Sequence, residues 1–515
     1  MHSVHLRPLD LLLVVVYLVA ITVFGLRFRK SGERSLRSYF LADRNLPWWA
    51  ISLSIVAAET STLTIISVPG LAFTGDFGFL QLAMGYLLGR VVICIIFLPR
   101  YFRGELLTAY QLIGQRFGRR LHRFTAGLFL ALRAAAEGVR VFAVAIVVGV
   151  AIGTGDVASI AVLTALTLLY TFEGGMAAVI WTDVVQMVLY VGGSLVALAT
   201  VCHHIPGGWN ALLAGASAAH KLTMLHFSWS LVETYTFQAG VIGGCFLTMA
   251  SHGTDQLMVQ RLLAAKNLNE SRIALLVSGV VVFFQFTLFL LIGAGLFLYY
   301  TNAGAPGLSA DRIFPAFIVE QMPMGVAGLM IASILAAAMS NLSAALNSLS
   351  SSAVVDFYLP RHPDLSERTR TQLSRLLTVI WAVVLFVLAM FSRHGGHVVE
   401  IGLSIASVLQ GPMLGVFLLG TLSRRANENG TIAGMTAGVV VNLLLWIQPH
   451  AMTLPLFGHW ISIPKIAWTW WVLIGSLVTC AVGYTASVIF PDEGRGRLAE
   501  EEVRGEAHSG ERARS

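Results

Sequence analysis

The stretch Leu46–Gly70, LPWWAISLSIVAAETSTLTIISVPG, has the length and apolarity of a membrane span, yet Glu59, Thr60, Ser61, Thr62 and Thr64 stand near its middle. About 20 apolar residues cross the hydrocarbon layer as a helix, so these groups fall close to the midplane. Lipid offers no hydrogen bonds, and a carboxylate at that depth costs roughly 2.5–3.5 kcal/mol on insertion scales. Residues kept there serve a pathway or an ion. A second stretch, Gly325–Ser352 (GVAGLMIASILAAAMSNLSAALNSLSSS), repeats the pattern with Ser and Asn. On a helix at 100° per residue with Ser340 at zero, Asn341, Ser343, Asn347, Ser348 and Ser351 fall between about −60° and +100°. Leu335, Leu342, Leu346 and Leu349 fall between about 180° and 240°. One face is hydroxyl and amide, the opposite face leucine. A hard monovalent cation prefers oxygen ligands, and an unwound helix adds carbonyls. Ser340 and Asn341, with carbonyls freed near Ala57 and Thr60, make a candidate cage.

The rest of the chain places these two stretches in a polytopic, all-α membrane protein. The apolar fraction is 56%, mean hydropathy is +0.75 and 12% of residues are charged, against about 25% charged in soluble domains. Thirteen spans are expected, near 8–26, 47–71, 79–99, 124–153, 155–172, 178–202, 235–252, 273–300, 325–355, 376–392, 397–421, 430–448 and 467–490. The net charge of +7 is a topology signal and not a nucleic-acid footprint. Of the 34 Lys and Arg, 26 lie in the odd-numbered loops and the C-terminal tail, five on the other side and three (Arg90, Arg133, Arg140) within spans. By the positive-inside rule the N-terminus is outside and the C-terminus cytoplasmic. The first span lacks a small-residue cleavage site and reads as retained. The four cysteines lack paired spacing, so neither a disulfide framework nor a zinc site is expected.

Residues 1–490 read as one membrane domain, and 491–515, charged and free of aromatics, as a disordered cytoplasmic tail. Spans two to six (about 47–202) and seven to eleven (about 235–421) are two units of five helices. Five is odd, so the units sit in opposite orientations, the geometry of inverted-repeat transporters that bind substrate on interrupted helices. The lead helices carry breakers: Pro69-Gly70 in one, Gly240, Gly243-Gly244 and Ser251-His252-Gly253 in the other.

Four segments together resemble the sodium:solute symporter family, which includes the sodium–glucose, sodium–proline and sodium–sialic acid transporters. They are LADRNLPWWAISLSIVAAETSTLTIISVPG, WTDVVQ (181–186), GTDQLMVQRLLAAKN (253–267) and AAAMSNLSAALNS (336–348), within a likeness running over about residues 8–450. The resemblance implies a LeuT-type fold with ten core helices, one before them and two after. It implies a sodium site of the Ala57, Thr60 and Ala337 carbonyls with Ser340 and Asn341, the last standing where relatives carry Ser or Thr. Glu59 occupies the position of an aspartate in proline-type relatives, which makes it an electrostatic partner of the ion. A second sodium site would use Asp183 with Ser340 and Ser343, and lacks one hydroxyl because Ala344 follows.

Candidate solute contacts are Ser61, Thr64, Asp255, Gln256 and Gln410. The aromatic pair that sugar transporters carry before the third segment is replaced by Ser251-His252, and their glutamine on the first core helix by Thr64, which disfavours a hexose. Arg133, Glu137 and Arg140 share one helix face by their spacing, as an internal ion-paired strut or as a contact for a charged substrate. His203, His204, His220 and His226 read as solvated loop residues. The expected function is sodium-coupled symport of a small organic solute by alternating access in the plasma membrane, by a monomer or weak homo-oligomer. Proton coupling through Glu59 or Asp183 is the alternative, with a sensor or channel on the same fold behind it. No HExxH, GxSxG or Cys/His pairing supports an enzyme.

Overall fold

The computed structural model describes residues 6–26, 44–103, 109–170, 176–303, 307–358, 362, 367–392, 397–448, 452–456, 459–463 and 465–491. Helix α1 (Pro8–Leu26) precedes α2 (Trp48–Glu59) and α3 (Thr62–Thr74), then α4 (Phe79–Ile96), α5 (Leu98–Arg103), α6 (Ala109–Phe117), α7 (Arg119–Ile152), α8 (Asp156–Tyr170) and α9 (Met176–His204). After α10 (Gly208–Ala218), a π-helical turn at Ala239–Gly243 runs into α11 (Gly244–Gly253). Then come α12 (Gln256–Leu263), α13 (Leu268–Ala303), α14 (Ala310–Gln321), α15 (Val326–Ser352), α16 (Glu367–Phe391) and α17 (Val398–Leu422). Between α18 (Glu428–Ile447) and α19 (Trp471–Ile489) stands an antiparallel hairpin, β1 (Met452–Leu456) against β2 (His459–Ile463).

Among the described residues, eight helices are long and apolar enough to cross a membrane, and the bent pair α2–α3 makes a ninth. Shorter apolar helices at Pro8–Ile21, Asp156–Ala165 and Arg375–Phe391, with the interrupted seventh segment, occupy the remaining expected span positions. Helices α10 and α14 lie in stretches read from sequence as outer loops. The tail after Pro491 lies outside the described residues.

The break in the second span falls where freed carbonyls were expected, beside Ala57 and Thr60, and not at Pro69-Gly70. Helices α2 and α3 meet at 65° across Thr60–Ser61, while Pro69 sits inside unbroken α3. A proline forfeits one helical bond, yet α3 continues through it, packed so closely on α13 that a Cβ on Gly293 would collide with the Pro69 oxygen. The polar run upstream unwinds the chain instead, because Ser and Thr side chains compete for backbone groups. The Thr64 hydroxyl donates to the Glu59 carbonyl (3.3 Å).

Helix α2 packs on α9 and α13, α3 on α13, α14 and α17, and α4 on α11. The α4–α11 approach requires glycine: a Cβ on Gly85 would collide with the Gly240 carbonyl oxygen. Helix α15 runs against α1, α7 and α9. At its N-terminus the buried Asp10 of α1 accepts from the amides of Gly325 (2.7 Å) and Gly328 (3.0 Å). Those amides are helix-end donors without intrahelical acceptors, and a carboxylate suits the positive end of the dipole. Helices α18 and α19 stack on each other and on α17, outside the two five-helix units.

Candidate ion and solute site

At the break, the amide of Thr60 still reaches Val56, but that of Ser61 turns to the Glu59 carbonyl (2.9 Å) and that of Thr64 to the Ser61 carbonyl (2.9 Å). In an uninterrupted helix those two amides would serve the carbonyls of Ala57 and Thr60. These are the two carbonyls expected in the cage. The Thr60 hydroxyl donates to Gln285 Oε1 of α13 (3.0 Å), a partner the sequence did not suggest.

Ala337, Ser340 and Asn341 lie in continuous α15. Asn341 is half-buried and Ser343 buried. The side chain of Ser340 lies outside the described residues. Asn341 shares a cavity wall with Ser61 and Thr62 at the break, Glu137 and Arg140 of α7, and Leu163 of α8. In that wall Glu137 Oε1 accepts from Arg140 Nη1 (2.8 Å), and Arg133 Nη2, outside the wall, is ion-paired with the same oxygen at 3.0 Å. Two guanidiniums share one carboxylate, and the Arg140 side chain is 33% exposed while Glu137 is 1% exposed. The cluster carries one positive charge in excess; Arg140 and Glu137 line the cavity, and Arg133 is not among its walls.

Glu59 and Asp183 each have a protein cation. The Glu59 carboxylate pairs with Arg90 of α4, and His252 Nε2 of α11 lies 3.4 Å from it. Asp183 Oδ2 accepts from Ser54 Oγ (2.6 Å) and from Arg261 Nη2 (3.0 Å), and Arg261 Nε donates to Ser54 Oγ (2.9 Å). This knot joins α2, α9 and α12. Arg90 was visible in the sequence as a charge inside an apolar span; that it faces Glu59 depends on how α4 packs.

Of the expected solute contacts, Ser61 lines the cavity, whereas Thr64, Asp255, Gln256 and Gln410 are not among its walls. Thr64 is spent on the break, and Asp255 caps α12 by accepting from the Leu257 amide (2.8 Å), the usual task of an aspartate at a helix start. Gln410 is half-buried on α17, its Oε1 without a hydrogen-bond partner. His226, read as solvated, is instead paired with Asp76 (2.9 Å).

The family model for the sodium:solute symporter family matches residues 39–438. The chain belongs to the sodium:solute symporter family. It is 28% identical over 500 residues to the sodium/sialic acid symporter NanT of Aliivibrio fischeri, covering 95% of each chain. It is also 28% identical to the human sodium/iodide cotransporter, covering 83% of this chain and 67% of that one. Among solved structures, a substrate-bound, outward-open Na+-coupled sialic acid symporter superposes with a TM-score of 0.78 at 25% identity, covering 94% of this chain and 98% of that one. Mhp1, a nucleobase-cation-symport-1 family transporter, shares the fold at a TM-score of 0.51 and 14% identity, covering 89% of this chain and 96% of that one. The chain is thus a multi-pass, sodium-coupled solute symporter with the LeuT-type inverted repeat, and not an enzyme.

Proposed function

We propose that this symporter carries one sodium ion with a small organic anion into the cell. The carbonyls of Ala57, Thr60 and Ala337, the Ser340 hydroxyl and the Asn341 amide oxygen hold the ion; Arg140 meets the anion. The observation that carries this reading is the partly exposed Arg140 guanidinium in the same cavity wall as Ser61 and Asn341. Arg133 shares Glu137 with Arg140, so the Arg140 guanidinium is only partly neutralised, and a guanidinium binds a carboxylate in two parallel hydrogen bonds. Sialic acid, in the name of one relative, carries a carboxylate, which supports the same class. Asp183 is held by Ser54 and Arg261, and Ala344 replaces a hydroxyl, so a second sodium is left out of the cycle.

Sodium couples to the solute by binding the outward-open arrangement more tightly than the inward one. It would draw the α2–α3 break and α15 together and complete the solute site. The cycle runs in a plasma membrane, with the N-terminus outside, the C-terminus cytoplasmic, and repeats over 47–202 and 235–421 within a membrane domain of residues 1–490. The test is thermal stabilisation of the purified full chain by a panel of small carboxylates and their uncharged amides, in sodium and in potassium. A carboxylate is expected to stabilise in sodium only, its amide not at all. Arg140→Gln should weaken the effective carboxylate about 10- to 100-fold, as loss of a charged hydrogen bond does, and Arg140→Lys should weaken it less. Equal stabilisation by acid and amide, or full affinity in Arg140→Gln, would refute the anion assignment.

A further inference from the structure

Resting on that sodium-site assignment, we infer that Arg90 is a positioning residue of the site. It neutralises Glu59 and fixes the helix break, so Glu59 is not the counter-charge of sodium. The Arg90 side chain is fully buried on α4, whose approach to α11 is set by the Gly85–Gly240 contact. Gly279 of α13 makes its room, since a Cβ there would lie 2.8 Å from Arg90 Cδ. From this seat Nη2 reaches Glu59 Oε2. His252 Nε2 stands 3.4 Å from both atoms, and Ser251 Oγ lies 2.9 Å from His252 Nδ1. Glu59 Oε1 and Arg90 Nε and Nη1 are buried without hydrogen-bond partners among the described residues. An ion so placed is tolerated in the company of its opposite and costly alone.

Glu59 is the last residue of α2, and the freed carbonyls of Ala57 and Thr60 flank it. A carboxylate tied to α4 and α11 therefore decides where those carbonyls point. The charges of Glu59 and Arg90 cancel, leaving a cage of neutral oxygens. Removing the Glu59 charge alone would expose sodium to an unbalanced guanidinium. Removing both charges would return the site to neutrality.

The probe is sodium itself: NaCl titrated against KCl at constant ionic strength, with the melting temperature of the purified full chain as readout. Glu59→Gln is expected to raise the half-saturating sodium concentration about tenfold, within the range of direct side-chain coupling. Glu59→Gln with Arg90→Met should return it to within about threefold of the parent, near the limit of additivity for independent sites. A double variant as impaired as Glu59→Gln, or more so, overturns the proposal. Should the double variant fail to fold, Arg90→Lys decides. A half-point within about threefold of the parent supports the positioning role, and one as shifted as Glu59→Gln overturns it. Ser340→Ala, measured alongside, separates the two levels. An unchanged half-point there removes the sodium-site assignment, whereas a raised one without rescue in the double variant removes the role of Arg90 alone.

Discussion

Replacing Asp183 by asparagine tests whether this carboxylate is a strut or an ion ligand. The substitution keeps shape and removes charge. In the parent, Asp183 Oδ2 receives Ser54 Oγ at 2.6 Å and Arg261 Nη2 at 3.0 Å, with side-chain exposures of 9% for Asp183 and 5% for Arg261. Asp183→Asn would leave Arg261 a buried cation with the Ser54 hydroxyl (2.9 Å) and the Leu257 carbonyl (2.9 Å) as its neutral partners. Removing one member of a buried pair costs about 3–5 kcal/mol, and because an amide oxygen keeps part of the hydrogen bonding, about 3 kcal/mol is expected. Ser54→Ala leaves Arg261 Nε without an acceptor and should cost about 1–3 kcal/mol. Asp183→Asn with Arg261→Met removes both charges and should lose less than the sum of the singles, by about 1–3 kcal/mol of coupling. The assay is denaturant titration of the purified variants in sodium-free potassium buffer, where sodium binding contributes nothing, followed by sodium titration of the folded protein. Parent-like stability in Asp183→Asn with a lost sodium response would refute the reasoning and make Asp183 a sodium ligand.

Ser340→Ala should raise the sodium requirement for transport while leaving solute affinity at saturating sodium nearly unchanged. Asn341→Ser, which restores the ligand usual in relatives, should retain transport; uptake assays over a sodium series check both. Reporter fusions after Gly32 and near Ser509 should read cytoplasm, and one near Ser217 should read outside; a cytoplasmic signal near Ser217 would break the thirteen-span topology. Gly85→Ala drives a methyl into the Gly240 oxygen and should destabilise by about 1–3 kcal/mol, the usual range for overpacking. Thermal unfolding measures it, and an unchanged midpoint would mean that α4 and α11 are free to separate.

Span positions were readable because lipid imposes a length and an apolarity that each segment must meet by itself. The polar face of α15 was readable for the same reason, being a periodicity within one helix. Local competition at the break was only half legible. The Ala57 and Thr60 carbonyls follow from the polar run, yet Pro69-Gly70 also reads as a breaker, and α3 runs through it packed on α13. Pairings between helices were not legible. Glu59 meets Arg90 at a separation of 31 residues, and Asp183 meets Arg261 at 78; nothing in either segment states which face meets which. Asp255 shows the same limit, because a helix cap and a binding residue use the same side chain. The twofold sharing of Glu137 is the opposite case, since the spacing of Arg133, Glu137 and Arg140 placed all three on one face before any neighbour was known.

The bond from Asp10 to the start of α15 makes the leading helix a poor place to shorten or decorate the protein. Deleting α1 would strip the acceptor from two amides, those of Gly325 and Gly328, at the head of the helix that carries Ser340 and Asn341 further along. Loosening there would act on the same helix that carries the proposed ion ligands Ser340 and Asn341. A tag or label joined ahead of α1 is thus mechanically in series with the proposed sodium site, whereas one beyond α19 is attached to a pair of helices that stack on each other and on α17.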